Sequence, residues 1–91
     1  MKTYYLHSKT DGGRRFTVAG LVEQQKDCYV VNGGVALCSG KDQFVKRIGR
    51  DIASGRARKK QNFVKVFKRE PEPQSVVRYI KQFSEVFAKE N

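Results

Sequence analysis

The hydrophobic pattern of this chain changes character at Cys38-Ser39, and that junction limits the fold more than any other feature. Up to Cys38 the apolar residues alternate or form short β-branched runs, which suits strands. Beyond Ser39 they recur mainly every three or four positions, which suits helices. Ser39 supplies a helix N-cap, and Asp42, three residues on, approximates a capping box and brings negative charge to the first turn. The spacing predicts a strand ending at Cys38 and a helix from about Gly40 to Arg58.

On the strand side, Lys2 to Ser8 alternates weakly around Tyr4 and Leu6, and Lys9-Thr10-Asp11-Gly12-Gly13 supplies a hairpin turn. Arg15 to Glu23 is rich in strand-favouring residues, and the polar turn Gln24 to Asp27 leads into Cys28-Tyr29-Val30-Val31. Asn32-Gly33-Gly34 reads either as a turn between two short strands or as a glycine bulge inside one, because Val35-Ala36-Leu37-Cys38 continues the apolar signal. The turn is the preferred reading.

On the helix side, a wheel of about 100° per residue groups Phe44, Val45, Ile48 and Ile52 on one face. Gln43, Lys46, Arg47, Arg50 and Ser54 share the opposite face, so the first group is expected in the core and the second in solvent. Gly49 and Gly55 each weaken the helix by roughly 1 kcal/mol relative to alanine. They predict either close approach of another backbone or an early end near Gly55. Phe63 to Lys68 has strand propensity, and Glu70-Pro71-Glu72-Pro73 ends it. From Ser75, Val76, Ile80, Phe83 and Phe87 recur at i, i+4, i+7 and i+11, an amphipathic helix. The expected fold is α+β: an antiparallel sheet of four to five strands, a β-meander followed by helix, strand and helix, with both helices packed on one face.

At 91 residues this is one domain with a small core, burying roughly 60 to 65% of its extended-chain surface. No apolar run approaches the roughly 20 residues that cross a bilayer, and Met1 to Ser8 lacks the features of a signal peptide, so a cytoplasmic address without membrane contact is expected. Cys28 and Cys38 make neither a disulfide framework nor a zinc site, since the one histidine, His7, lies far away in sequence. Reduced thiols are expected, with a Cys28–Cys38 bridge confined to an oxidising compartment. His7 has no nucleophile beside it, and Asp42 and Asp51 read as a cap and a local helix partner. With no nucleotide-binding, hydrolase or metal-ligand spacing, the chain is read as a non-enzyme without cofactor.

The charge is concentrated. Between Lys41 and Arg69 lie eleven of the nineteen basic residues, against only Asp42 and Asp51, which leaves +9 of the net +10 in one segment. Such a footprint suits a polyanion, most often nucleic acid, either RNA or DNA. Lys46, Arg47 and Arg50 fall on one helix face, Lys41 sits at a helix N-terminus whose free N–H groups favour anions, and Arg56, Arg58, Lys59 and Lys60 extend the surface. About six to eight phosphate contacts would follow, with affinity falling steeply as salt rises. Tyr4, Tyr5, Tyr29, Phe63 and Phe67 lie on candidate strands where exposed rings could stack bases, Tyr5 and Tyr29 being the more exposed pair, whereas Phe83 and Phe87 belong to the core. The competing readings of the basic face are a solubilising surface and contact with an acidic protein.

The run from Ala36 to Ala57, containing Cys38-Ser39, Lys41-Asp42, Phe44, Lys46, Gly49-Arg50, Ile52-Ala53 and Gly55-Arg56, resembles a segment of small bacteriophage and prophage proteins with the pattern C-S-x-K-D-x-F-x-K-x-x-G-R-x-I-A-x-G-R. The resemblance spans about a quarter of the chain and implies a mobile-element origin. Phe16 through Ala57 is also similar in outline to double-stranded-RNA-binding domains, in which a three-stranded meander feeds a helix with basic residues at its start. This chain departs from them in having no helix before Lys2, Lys41-Asp42 where a lysine pair stands, and an extra strand and helix. With the concentrated positive charge, this origin gives the leading reading, a phage accessory protein that binds nucleic acid through phosphates in the host cytoplasm. The alternative is a phage-encoded inhibitor that docks on a host defence protein or nucleoprotein complex, in the manner of anti-CRISPR proteins. The apolar strand edges are also compatible with a homodimer.

Overall fold

A computed structural model describes residues 2–38, 45–59 and 62–91. The elements follow as β1 (Lys2–Lys9), β2 (Arg15–Gln24), β3 (Tyr29–Leu37), α1 (Lys46–Arg58), β4 (Phe63–Phe67) and α2 (Pro73–Glu90). The strands form one open antiparallel sheet in chain order β1-β2-β3-β4, the α+β arrangement the sequence predicts. The first hairpin closes where Asp11-Gly12-Gly13 stands: the Thr10 N–H donates to the Arg14 carbonyl at 2.7 Å, and Gly13 takes a φ of 88°.

Asn32-Gly33-Gly34 is neither turn nor bulge. β3 runs unbroken through it, pairing Asn32 with Leu21, Gly33 with Gly20 and Gly34 with Ala19. The two glycines serve opposite faces of the sheet. A Cβ on Gly33 would lie 1.9 Å from the Phe63 ring, and one on Gly34 would lie 2.2 Å from the Ala53 carbonyl oxygen of α1. Glycine is needed in each place because ring or helix backbone occupies the volume of a side chain.

The helices pack on opposite faces, not on one. Ala19, Leu21 and Ala36 meet Ala53 and Ala57 of α1 on one side, while Phe16, Val18 and Val35 meet Ile80 of α2 on the other. The cause lies in the central strands. From Phe16 to Leu21 every residue of β2 is buried, as is Val30 to Ala36 of β3, and a strand apolar on both sides needs cover on both. Phe63, Phe83 and Phe87 pack against the α2 side, where Phe16 and Phe87 have ring centroids 4.8 Å apart. Each large side chain buried there contributes about 1.5–3 kcal/mol. Pro73 opens α2 at a position where its missing N–H costs nothing.

α1 also presents a different face from the one its pattern suggests. Val45, Ile48 and Ile52 are 45, 56 and 44% exposed, and the buried positions are Ala53 and Ala57. The sheet beneath is paved with Ala19, Gly34 and Ala36, a surface that admits a helix only by small residues at backbone contact. The expected start at Gly40, its caps Ser39 and Asp42, and Phe44 lie outside the described residues. Val45 is extended (φ −121°, ψ 114°), so no helix runs unbroken from Gly40. At the other end α1 passes through Gly55, which faces open space, and ends at Arg58. Arg56 and Arg58 in the last turn favour the negative end of the helix dipole.

Asn32 is fully buried, and among the described residues neither its amide nitrogen nor its amide oxygen has a hydrogen-bond partner. A buried orphan amide costs about 1–3 kcal/mol. Asn32→Val, which removes both groups and suits a strand, is expected to raise the melting temperature by several degrees in a thermal unfolding scan. A variant melting below the parent would contradict this assignment.

Candidate nucleic-acid interface

β1 is an edge strand, and α1 lies over β2 and β3 while only grazing it. The result is a step along one side of the molecule. Strand alternation and the register with β2 place Tyr5, His7 and Lys9 on the α1 side, opposite Ala19, Thr17 and Arg15. These residues form the floor. At about 100° per residue, Lys46, Arg50 and Ser54 fall on the flank of α1 that faces the floor, with Arg47 and Arg58 above them. They form the wall.

Floor and wall are fastened to one another. Ser54 Oγ donates to the Arg50 carbonyl at 2.7 Å, which commits its single hydrogen, so at the 2.7 Å contact with Tyr5 it accepts from the phenol. The Arg50 guanidinium carbon stands 5.9 Å from the centre of the Tyr5 ring, within cation–π range. The His7 Nδ1 lies 2.8 Å from Thr17 Oγ1 on the neighbouring strand. Among the described residues no carboxylate is ion-paired with Lys46, Arg47, Arg50 or Arg58.

Burial, and then the charges of Lys46 and Arg50, lower the pKa of His7 from its usual 6.5. The unfolded chain therefore takes up this proton more readily than the folded one. The stability His7 contributes is present above pH 6.5 and is lost as pH falls through the lowered value. Urea midpoints at pH 7.5 and 5.5 are expected to differ more in the parent than in His7→Gln, and equal differences would contradict the coupling.

The structure divides the eight cations singled out from sequence. Lys46, Arg47, Arg50 and Arg58 share the flank toward β1. Arg56 and Lys59 point about 180° away from Arg47 and Arg50 respectively, and Lys41 and Lys60 lie outside the described residues. Arg56 Nη1 donates to the Val35 carbonyl, and Asn62 Oδ1 accepts from the Val35 N–H at 2.9 Å. These two side chains complete the edge of β3 where β4 has ended, so Arg56 serves the fold. Of the five ring residues considered for stacking, Tyr5 alone lies on the α1 face. Tyr4 and Phe63 join the α2-side core, Phe67 pairs with Tyr29 on that same face, and Tyr29 lines a separate cleft with Pro71 and Pro73. Cys28 and Cys38 are half-buried and, among the described residues, form no disulfide.

Sequence reasoning missed His7 and Lys9 as members of the surface. The signal was the alternation Thr3, Tyr5, His7, Lys9 along β1, but which face it occupies depends on register with β2 and on where α1 lands. Among the described residues no helix is long and apolar enough to cross a membrane, and no group of three or more His, Cys, Asp or Glu residues could hold a metal ion. No protein-family model, curated protein or solved structure matches this chain.

Proposed function

We propose that this domain binds nucleic acid through its phosphates, using Lys46, Arg47, Arg50 and Arg58 of α1 with Lys9 of β1 beside them. The observation that carries this reading is the row of cations on one flank of α1 without carboxylate partners among the described residues. Cations held in one row favour an extended polyanion over a scattered set of small acids, and neutralising each phosphate releases condensed counterions. The segment that builds this flank is the one resembling phage and prophage proteins, which favours an accessory role in a mobile element. Contact through the backbone, with no motif for reading bases, makes the binding largely independent of sequence.

The test is a fluorescence-anisotropy titration of a generic labelled oligonucleotide at increasing salt. With four to five cations engaged, log affinity is expected to fall against log salt with a slope of about −2.8 to −3.5 on a single strand. A flat response, or no binding at low salt, would overturn the reading.

A second reading has its own observation. Val45, Ile48 and Ile52 are exposed on α1 away from β1, and an apolar stripe beside cations fits a host protein or nucleoprotein complex with an acidic rim. Capture of a specific host protein that survives nuclease treatment would favour it over the first.

A further inference from the structure

Resting on the nucleic-acid reading, we infer that the step between β1 and α1 takes single strands in preference to duplex, with Tyr5 as the platform on which a base stacks. Tyr5 is 40% exposed on an edge strand, and among the described residues no strand lies beyond β1 in the sheet. Its ring is held at two points, by the hydroxyl bond to Ser54 and by the Arg50 guanidinium 5.9 Å from its centre. A pinned ring loses little rotamer freedom when a base lands on it, so most of the stacking contact appears as affinity. Aromatic surface set among phosphate-binding cations is the arrangement that binds single strands without reading sequence.

Geometry separates this ligand from a duplex. Both faces of a base inside a duplex are already stacked on neighbours, so a ring standing on the floor of a step has only backbone to meet. An unpaired strand turns a base onto the floor while its phosphates follow the wall formed by Lys46 and Arg50. Those two residues are one helical turn apart, about 6 Å along the axis, and Arg50 stands beside the ring, 5.9 Å from its centre. Arg50 is shared by both functions: its charge serves the phosphates while its guanidinium stays within cation–π range of the ring.

The experiment compares a 12-mer single strand with a blunt duplex of the same length for the parent, Tyr5→Leu and Tyr5→Phe. Tyr5→Leu is expected to lower single-strand affinity roughly 5- to 150-fold while leaving the salt slope and duplex affinity unchanged. Tyr5→Phe keeps the ring and is expected to retain most of the binding. In the parent, photocrosslinking of an oligonucleotide carrying 5-bromouracil is expected to label Tyr5, which keeps the inference testable even if Tyr5→Leu unfolds. Crosslinks found only elsewhere, or duplex bound as tightly as single strand with a steep salt slope, would overturn the stacking role and leave the phosphate reading in place. Binding of neither probe at low salt would overturn both.

Discussion

Gly34→Ala is expected to cost about 3 kcal/mol or more, lowering the melting temperature by roughly 12 to 24 °C. The added methyl would lie 2.2 Å from the Ala53 carbonyl oxygen, 2.4 Å from the Ala57 nitrogen and 2.8 Å from the Arg56 Cβ. Two of these three are helix backbone, so relief requires α1 to lift from the sheet by roughly an ångström to regain normal packing distance. Lifting it opens the packing of Ala53 and Ala57 on Ala19, Leu21 and Ala36. It also strains the Tyr5–Ser54 bond that fastens the helix to β1. At Gly33→Ala the three nearest atoms all belong to the Phe63 ring, a side chain that can turn between its neighbours Tyr79 and Phe83. Thermal scans are therefore expected to rank Gly34→Ala as the more damaging of the two. A Gly34→Ala protein melting within about 2 °C of the parent, well under 1 kcal/mol, would contradict the close packing of α1.

The same position shows where local reading of the chain succeeds and fails. Strands and the second helix were legible because each carries its own period and punctuation: Asp11-Gly12 at one turn, Pro71 before α2 and Pro73 at its first position, and Val76 and Ile80 on its buried face. The orientation of α1 was not legible. Isoleucines at helical spacing look like core, yet the surface that receives α1 has room only for alanine, and that surface is assembled from β2 and β3. The glycine pair in β3 was misread for the same reason. Its cause is a ring from β4 and a helix backbone from α1, both distant in sequence. The face each helix covers was not legible either, because β2 and β3 are apolar on both sides and need a helix on each, a demand that exists only once the sheet is assembled.

The candidate site was half legible. Lys46, Arg47 and Arg50 were recognisable from charge and spacing, whereas Arg56 looked equivalent and instead completes the edge of β3. Tyr5 gained its importance only from register, which put it beside Arg50 and left the other considered rings on the opposite face.

The second large effect concerns that flank. Lys46→Gln/Arg47→Gln/Arg50→Gln is expected to reduce the salt slope of single-strand binding by about 2, at roughly 0.7 for each phosphate no longer neutralised. Because the electrostatic contribution fades toward molar salt, that change in slope leaves affinity near 0.1 M salt lower by roughly 100-fold. Stability is expected to fall by no more than about 1 kcal/mol, since all three side chains are exposed, none is ion-paired among the described residues, and the Arg50–Tyr5 contact is an exposed cation–π pair. The effect depends on position. Arg78, Lys81 and Lys89 on α2 are also exposed, on the far side of the sheet, so Arg78→Gln/Lys81→Gln/Lys89→Gln removes the same charge from a face with no proposed ligand.

Salt titrations of the two triple variants beside the parent test the central claim most directly. The α1 variant is expected to lose about 2 from the slope while the α2 variant keeps nearly all of it. Equal losses in both would mean that net charge alone attracts the polyanion, and would contradict a binding surface on the β1 flank of α1.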